Sequence, residues 1–189
     1  AQTSALTRAG RRPFEFIFTS TTPLSAPSNS VSAVALDAPS WQVINDTVMG
    51  GLSRAQIVAT QDGLRFQGVL SRGNGGGFAS ARRAIECDLR ESSAVRIRVR
   101  GDGRHYQLRF RMDDNFDGIS WRAIFKAEAS WQSIVLPFEA FQPVFRGTLV
   151  ADAGDLEPDR IRQVGLLVSD GPEGAFDLDL SSLEWLARP

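Results

Sequence analysis

A chain of 189 residues, 42% hydrophobic and 23% charged, can pack one domain with an extension, and no apolar run approaches the roughly 20 residues needed to span a bilayer. A single cysteine, Cys87, and a single histidine, His105, exclude an intramolecular disulfide, a thiolate metal cluster and any site built on several histidines. The net charge of −1 hides a segregation: residues 1–80 carry six arginines against four acids, 81–126 eleven basic residues against seven acids, and 127–189 four arginines against eleven acids.

Residues 1–40 read as a Ser/Thr/Pro-rich N-terminal arm, in which Pro13, Pro23, Pro27 and Pro39 oppose a long helix. Arg8, Arg11 and Arg12 against the lone Glu15 give its first 36 residues the composition of an organellar transit peptide, and Ala1 in place of Met implies processing or trimming; the expectation is a retained tail or the remnant beyond a cleavage site. Phe14, Phe16 and Phe18 alternate onto one face. Such a segment is either a strand that closes the arm onto its own domain or an anchor that adds to a partner's surface.

From Trp41 to residue 189 the patterning is that of one β domain. The stretch Trp41 to Ser53 holds an aromatic, the adjacent turn formers Asn45 and Asp46, Met49, and the pair Gly50-Gly51, which predicts a buried turn seated against the Gly73–Ser80 loop. Beyond it, period-two alternation recurs over 63–70, 95–100, 106–112, 119–126, 131–136, 164–168 and 176–180, separated by Gly/Asp turns. This predicts an all-β antiparallel sandwich of the jelly-roll kind. The one helical signal, Pro158 to Ile161, amounts to a single turn before a strand over 163–169.

If the three central segments are neighbouring strands, Arg96, Arg98, Arg100, Arg109, Arg111, Arg122 and Lys126 share one sheet surface. Like charges directly opposed destabilise a sheet, so such a face requires interleaved acids, for which the C-terminal third is the nearest source, or an anionic partner. Both readings stay open.

Other motifs carry less. Asp113 to Gly118 matches the opening of a calcium loop, but the position of the bidentate Glu is Ile124 and the flanks are strands, so it reads as a polar hairpin turn. Gly73 to Gly77 lacks the Lys-Ser/Thr of a phosphate loop and is a turn. Gly101-Asp102-Gly103-Arg104 reads as a hairpin connection whose Asp pins the following Arg. No Gly-x-Ser-x-Gly or other catalytic constellation occurs, and the basic segments lack the interleaved aromatics of a nucleic-acid surface. Trp41, Trp131 and Trp185 are expected in the core, with Trp121 the one candidate for an exposed platform.

Five blocks, in order, resemble one family. They are Trp41…Asn45-Asp46-Thr47-Val48-Met49-Gly50-Gly51-Leu52-Ser53; Phe66-Gln67-Gly68-Val69-Leu70-Ser71…Asn74…Gly76-Gly77-Phe78-Ala79-Ser80; Arg100-Gly101-Asp102-Gly103-Arg104-His105-Tyr106; Trp131…Leu136-Pro137-Phe138…Phe141…Phe145-Arg146-Gly147; and Val164-Gly165-Leu166…Gly174-Ala175-Phe176. Over about residues 41–186 the chain resembles the thirty-kilodalton complex I intermediate-associated protein family. The resemblance implies a galactose-binding-domain-like fold and a non-enzymatic, protein-binding role in assembling a membrane energy-conversion complex, of respiratory complex I or photosystem type. It also implies no catalytic residue, cofactor or metal. Partners would be protein subunits of that complex, in a mitochondrion, a plastid or the bacterial equivalent, with the chain soluble and peripheral to the membrane. A permanent structural subunit and a carbohydrate-binding module using a concave sheet are the alternatives.

Overall fold

The computed structural model describes residues 30–188, without the side chains of Ser30, Val31, Val48 and Met49. In chain order the strands are β1 (Ser30–Ala33), β2 (Gln42–Asn45), β3 (Arg54–Thr60), β4 (Gly63–Leu70), β5 (Ala79–Ala84), β6 (Ser92–Gly101), β7 (His105–Arg111), β8 (Ser120–Lys126), β9 (Gln132–Pro137), β10 (Gln142–Phe145), β11 (Thr148–Leu149), β12 (Gln163–Val168) and β13 (Gly174–Ala187). They form two antiparallel sheets. The first runs β3-β4-β13-β6-β9, and the second β11-β10-β8-β7-β12-β5-β2.

β13 organises the first sheet. One side pairs with β6 from Leu178 to Ala187, and the other pairs with β4 from Gly174 to Leu180 and then with β1 near Trp185. Ser30–Ala33, which the sequence places in the arm, is therefore part of this sheet. A register shift between Leu180 and Ser182 marks a bulge where β13 turns along its length. No helix among the described residues is long and apolar enough to cross a membrane.

Alternation decides which side chains meet between the sheets. Val95, Ile97 and Val99 of β6 are fully buried, as are Tyr106, Leu108 and Phe110 of β7. Phe110, from the second sheet, lies 5.5 Å from Trp185 of the first, 4.9 Å from Phe141 and 6.1 Å from Phe138. Each such aromatic contributes roughly 1.5–3 kcal/mol by leaving water, so this cluster pins the two sheets together at one end. Phe66 and Phe176 pair at 5.0 Å toward the other end.

The connection from β6 to β7 corrects one expectation. Gly101 to Arg104 is not a hairpin within a sheet; it is a corner carrying the chain from the first sheet to the second. β6 and β7, although consecutive, are thus on opposite sides of the sandwich, and the arginines of β6 face away from those of β7 and β8.

Candidate functional site

Asp46 is fully buried at the corner where β2 ends. Its carboxylate accepts hydrogen bonds from the backbone N–H of Ser53 (2.9 Å), Gly77 (2.7 Å) and Phe78 (3.3 Å), and from the Ser53 hydroxyl (2.6 Å). Ser53 passes the connection on, its hydroxyl accepting from Ser71 N–H at 3.0 Å. Burial alone would raise this carboxyl, but the hydrogen bonds from Ser53, Gly77 and Phe78 outweigh it and hold the group below the ordinary carboxylate range. A Cβ on Gly51 or Gly76 would overlap the carboxylate itself, so close packing requires glycine at both positions. Gly50, in the left-handed region at φ 87°, ends the turn Asp46–Met49. Trp41 is buried just before β2, Asn45 is half-buried at that strand's end, and Phe78 immediately precedes β5. The Met49 side chain lies outside those described.

The Gly101–Arg104 corner is held in the same manner. Asp102 accepts from Arg104 N–H (3.1 Å) and Nε (3.0 Å), while the other guanidinium nitrogens reach the carbonyls of Pro172 (2.6 Å) and Ala175 (2.9 Å). The Tyr106 hydroxyl lies 3.0 Å from Asp102 and 2.9 Å from the Asp177 carbonyl, and burial, then the charge of Asp102, pushes the phenol up. A Cβ on Gly101 would stand 2.8 Å from that of Ala127, and Gly103 takes φ 85°. Tyr106→Phe is expected to cost about 1 kcal/mol in urea unfolding, the value of one buried hydrogen bond. A change below a few tenths would show the hydroxyl idle.

The sandwich carries two arginine faces instead of one. On the first sheet, register sets Arg65 of β4, Asp179 of β13 and Arg100 of β6 in one row. Both guanidinium groups bond the Asp179 carboxylate, at 2.6 and 2.7 Å, and hydrogen bonds from Arg65 hold its pKa down against burial. Arg96 pairs with Glu184 at 2.5 Å. Arg98 and Arg100 each lie 4.7 Å over the ring of Trp131, which is half-exposed on this face instead of in the core. The arginines of β6 are therefore balanced by acids of β13 and by an aromatic.

The second sheet has no acid interleaved in its row; among the described residues only the charges of Asp113 and Asp117, on the loop after β7, reach Arg82 and Arg111. Its register places Gln142 (β10), Arg122 (β8), Arg109 (β7), Gly165 (β12), Arg82 (β5) and Gln42 (β2) in a single row across six strands. Where the first sheet has Asp179 between its arginines, this row has Gly165, and Arg109 stands directly opposite Arg122. Arg109 bonds Gln107 at 2.7 and 2.9 Å and Ser120 at 3.4 Å, all neutral groups. Among the described residues no carboxylate forms an ion pair with Arg82, Arg109, Arg111 or Arg122, and Arg111 Nη1 and Arg122 Nε are buried without hydrogen-bond partners. Burial, then the charges of Arg122 and Arg111, pushes Arg109 down to about 10; burial also lowers Arg82, Arg111 and Arg122.

The expected single basic surface is thus divided: Arg96, Arg98 and Arg100 face one way, Arg109, Arg111 and Arg122 the other, with Lys126 at the edge paired to Glu128. Trp121 points inward, 5% exposed, its Nε1 donating to the Gly154 carbonyl, so it is no platform for a sugar. Phe14, Phe16 and Phe18 lie outside the described residues. Arg82 and Asp179 were passed over in the sequence, although Arg82 alternates with the inward Ala79 and Ala81, and Asp179 with Leu178 and Leu180.

The model of the family described as complex I intermediate-associated protein 30 matches residues 29–180. The chain belongs to this family. One relative, the mitochondrial complex I intermediate-associated protein 30 of Mus musculus, is 27% identical over 179 residues, covering 81% of this chain and 54% of that protein. The chain therefore spans about half the length of that curated relative. Among solved structures, the family 11 carbohydrate-binding module of the cellulase Lic26A-Cel5E from Clostridium thermocellum is similar with a TM-score of 0.59 at 15% identity, covering 84% of this chain and 96% of that one. The agarase AgWH50C is similar with a TM-score of 0.52 at 12% identity, covering 79% of this chain and 23% of that one. These likenesses show a shared sandwich fold. In this member of the complex I intermediate-associated protein 30 family, the two blocks Asn45–Ser53 and Gly76–Ser80 are those joined by the Asp46 carboxylate.

Proposed function

We propose that this chain is a non-enzymatic, protein-binding assembly module that holds a subunit of respiratory complex I, meeting it through the arginine face of the second sheet. Family membership carries the reading. The respiratory client is preferred over a photosynthetic one because the mouse relative is named for complex I and is mitochondrial; the same resemblance supports a mitochondrial, membrane-peripheral location or its bacterial equivalent. The two acid-bearing corners are occupied by their own hydrogen bonds and serve the fold, which leaves the second sheet as the surface with unmatched chemistry. A docked subunit would cover it without any covalent step.

Affinity capture of the tagged protein from its native cells, followed by mass spectrometry, tests this. Complex I subunits, recovered from partly assembled rather than mature complex, are the expected result. Recovery in fixed stoichiometry with the mature complex would replace the assembly role by a permanent structural one, and absence of complex I subunits would reject the client.

A further inference from the structure

The arginine row of the second sheet has a geometry that specifies its ligand more narrowly than "a protein". Two unlike arrangements are built on the same framework. The first sheet alternates Arg65, Asp179 and Arg100 across neighbouring strands. The second sets Arg122 against Arg109 and leaves Gly165 where an acid would stand before Arg82. Directly opposed like charges weaken a sheet, and buried polar atoms without partners call for an explanation. Retention of both in one row is the pattern of a site that gives up stability for binding.

We infer that this row is a carboxylate-reading groove that takes an extended acidic segment of the partner protein, with its acidic side chains on alternate residues. The inference rests on the protein-binding reading above and adds the chemistry of the partner. Strands in a sheet are about 4.8 Å apart, so Arg122 and Arg82, separated by three strand intervals, stand about 14 Å apart along the row. An extended chain advances about 3.4 Å per residue and places the side chains of residues i, i+2 and i+4 on one side, over about the same 14 Å. Carboxylates at the two ends face Arg122 and Arg82, and the middle one falls about 2 Å past the strand of Arg109, within reach of its side chain. Gly165, lacking a side chain, lets the segment approach the sheet between Arg109 and Arg82. Arg111 lies one step off the row, beside Gln163, as a fourth donor.

The row is recessed at its Arg82 end, which selects a chain over a flat surface. Gln163, only 8% exposed, lies on the floor there, while Gln107 farther along is covered by the Arg109 guanidinium that bonds it. The Asp113–Gly118 loop stands over one side: Gln163 donates to the Asp113 carbonyl at 2.8 Å, Arg82 donates to the Phe116 carbonyl at 2.8 Å, and the Phe116 ring lies 4.7 Å from the Arg82 guanidinium. Gln163, Arg82, Arg83 and Phe116 line a cavity of about 350 Å³ at the Arg82 end, where Asp114 is the one acid against two arginines. A bilayer surface cannot descend to such a floor. The chain's own N-terminal segment is a poor occupant, since residues 1–29 hold Arg8, Arg11 and Arg12 against Glu15 alone.

The test uses the full chain and a fluorescent nine-residue peptide with glutamates on alternate positions, titrated by anisotropy at low and moderate salt. A lysine counterpart, inorganic phosphate, and phosphatidylcholine vesicles with and without anionic lipid are run in parallel. The expected result is binding of the glutamate peptide only, weakened by salt, and weakened at least tenfold in Arg109→Gln/Arg122→Gln while the thermal midpoint of the free protein holds or rises. Arg98→Gln, on the other face, should bind as the parent does. Equal binding by the double variant, binding of anionic vesicles in preference to the peptide, full competition by phosphate, or concentration-dependent self-association that blocks the peptide would each overturn the inference. Peptide binding without capture of complex I would sink the client reading alone; capture undiminished in the double variant, with no peptide binding, would sink the groove alone.

Discussion

Asp46→Ala is expected to lower unfolding free energy by about 3 kcal/mol in urea titrations, because it strips the acceptor from one buried and two part-buried N–H groups and from a buried hydroxyl at once. The loss exceeds that of an ordinary surface hydrogen bond because no water can replace a fully buried carboxylate. Asp46→Asn is the informative control. It keeps the shape but turns one oxygen into a donor that faces other donors, so it should recover only part of the stability. The pH dependence has a definite sign. The carboxyl is lowered on folding, so its contribution is fully present above the unfolded value of about 4 and is lost as pH falls through the lower folded value. The parent should therefore show a larger acid-side loss below about pH 4 than Asp46→Asn, which keeps only the share of Asp179 and the other lowered carboxyls. An Asp46→Ala variant within 0.5 kcal/mol of the parent would show that the corner is held by something else.

Asp179→Ala has the second largest expected effect, about 2 kcal/mol of destabilisation. Asp179 is 3% exposed between Arg65 and Arg100, and its removal leaves two cations facing each other in one row. The cost stays below that at Asp46 because both guanidinium groups are more than a third exposed and can turn toward water. Removing the cations with the acid, in Asp179→Ala/Arg65→Met/Arg100→Met, should restore much of the loss, since it leaves no charge unpaired. A triple variant as unstable as the single one would mean that Asp179 acts through packing. The contrast with Arg109 is the useful one: on the first sheet loss of a charged side chain should destabilise, whereas Arg109→Gln on the second should not, because that charge has no acid to lose.

These opposite expectations come from sequence patterns that look alike. Arg96-Ile97-Arg98-Val99-Arg100 and Arg109-Phe110-Arg111 both alternate cation and hydrophobe, and nothing within either segment shows which sheet it joins. The Gly101–Arg104 corner decides that. The packing of Ala127 against Gly101 and the anchoring of Arg104 to the 172–175 backbone turn the chain to the opposite sheet instead of folding it back as a hairpin. Trp131 and Trp121 exchanged their expected places for a related reason. Trp121 falls on the inward phase of β8, while Trp131 precedes β9 at the sandwich edge and lies under Arg98 and Arg100.

What the sequence determined by itself is local and periodic. Alternation marked seven of the thirteen described strands, β4, β6 to β9, β12 and β13, with their inward residues, and missed the short or half-exposed others; the Asp46–Ser53 and Gly73–Ser80 stretches announced an unusual turn by their glycines and acid, and five spaced blocks identified the family. The tertiary structure decided which charges meet. Pairing partners in a sheet come from distant segments, as with Arg65 and Asp179, 114 residues apart, and a strand's own sequence does not encode its neighbours' register. Only the pairing of β12 between β7 and β5 shows that Gly165 stands where the other sheet has an acid, and so turns a scatter of arginines into one unbalanced row.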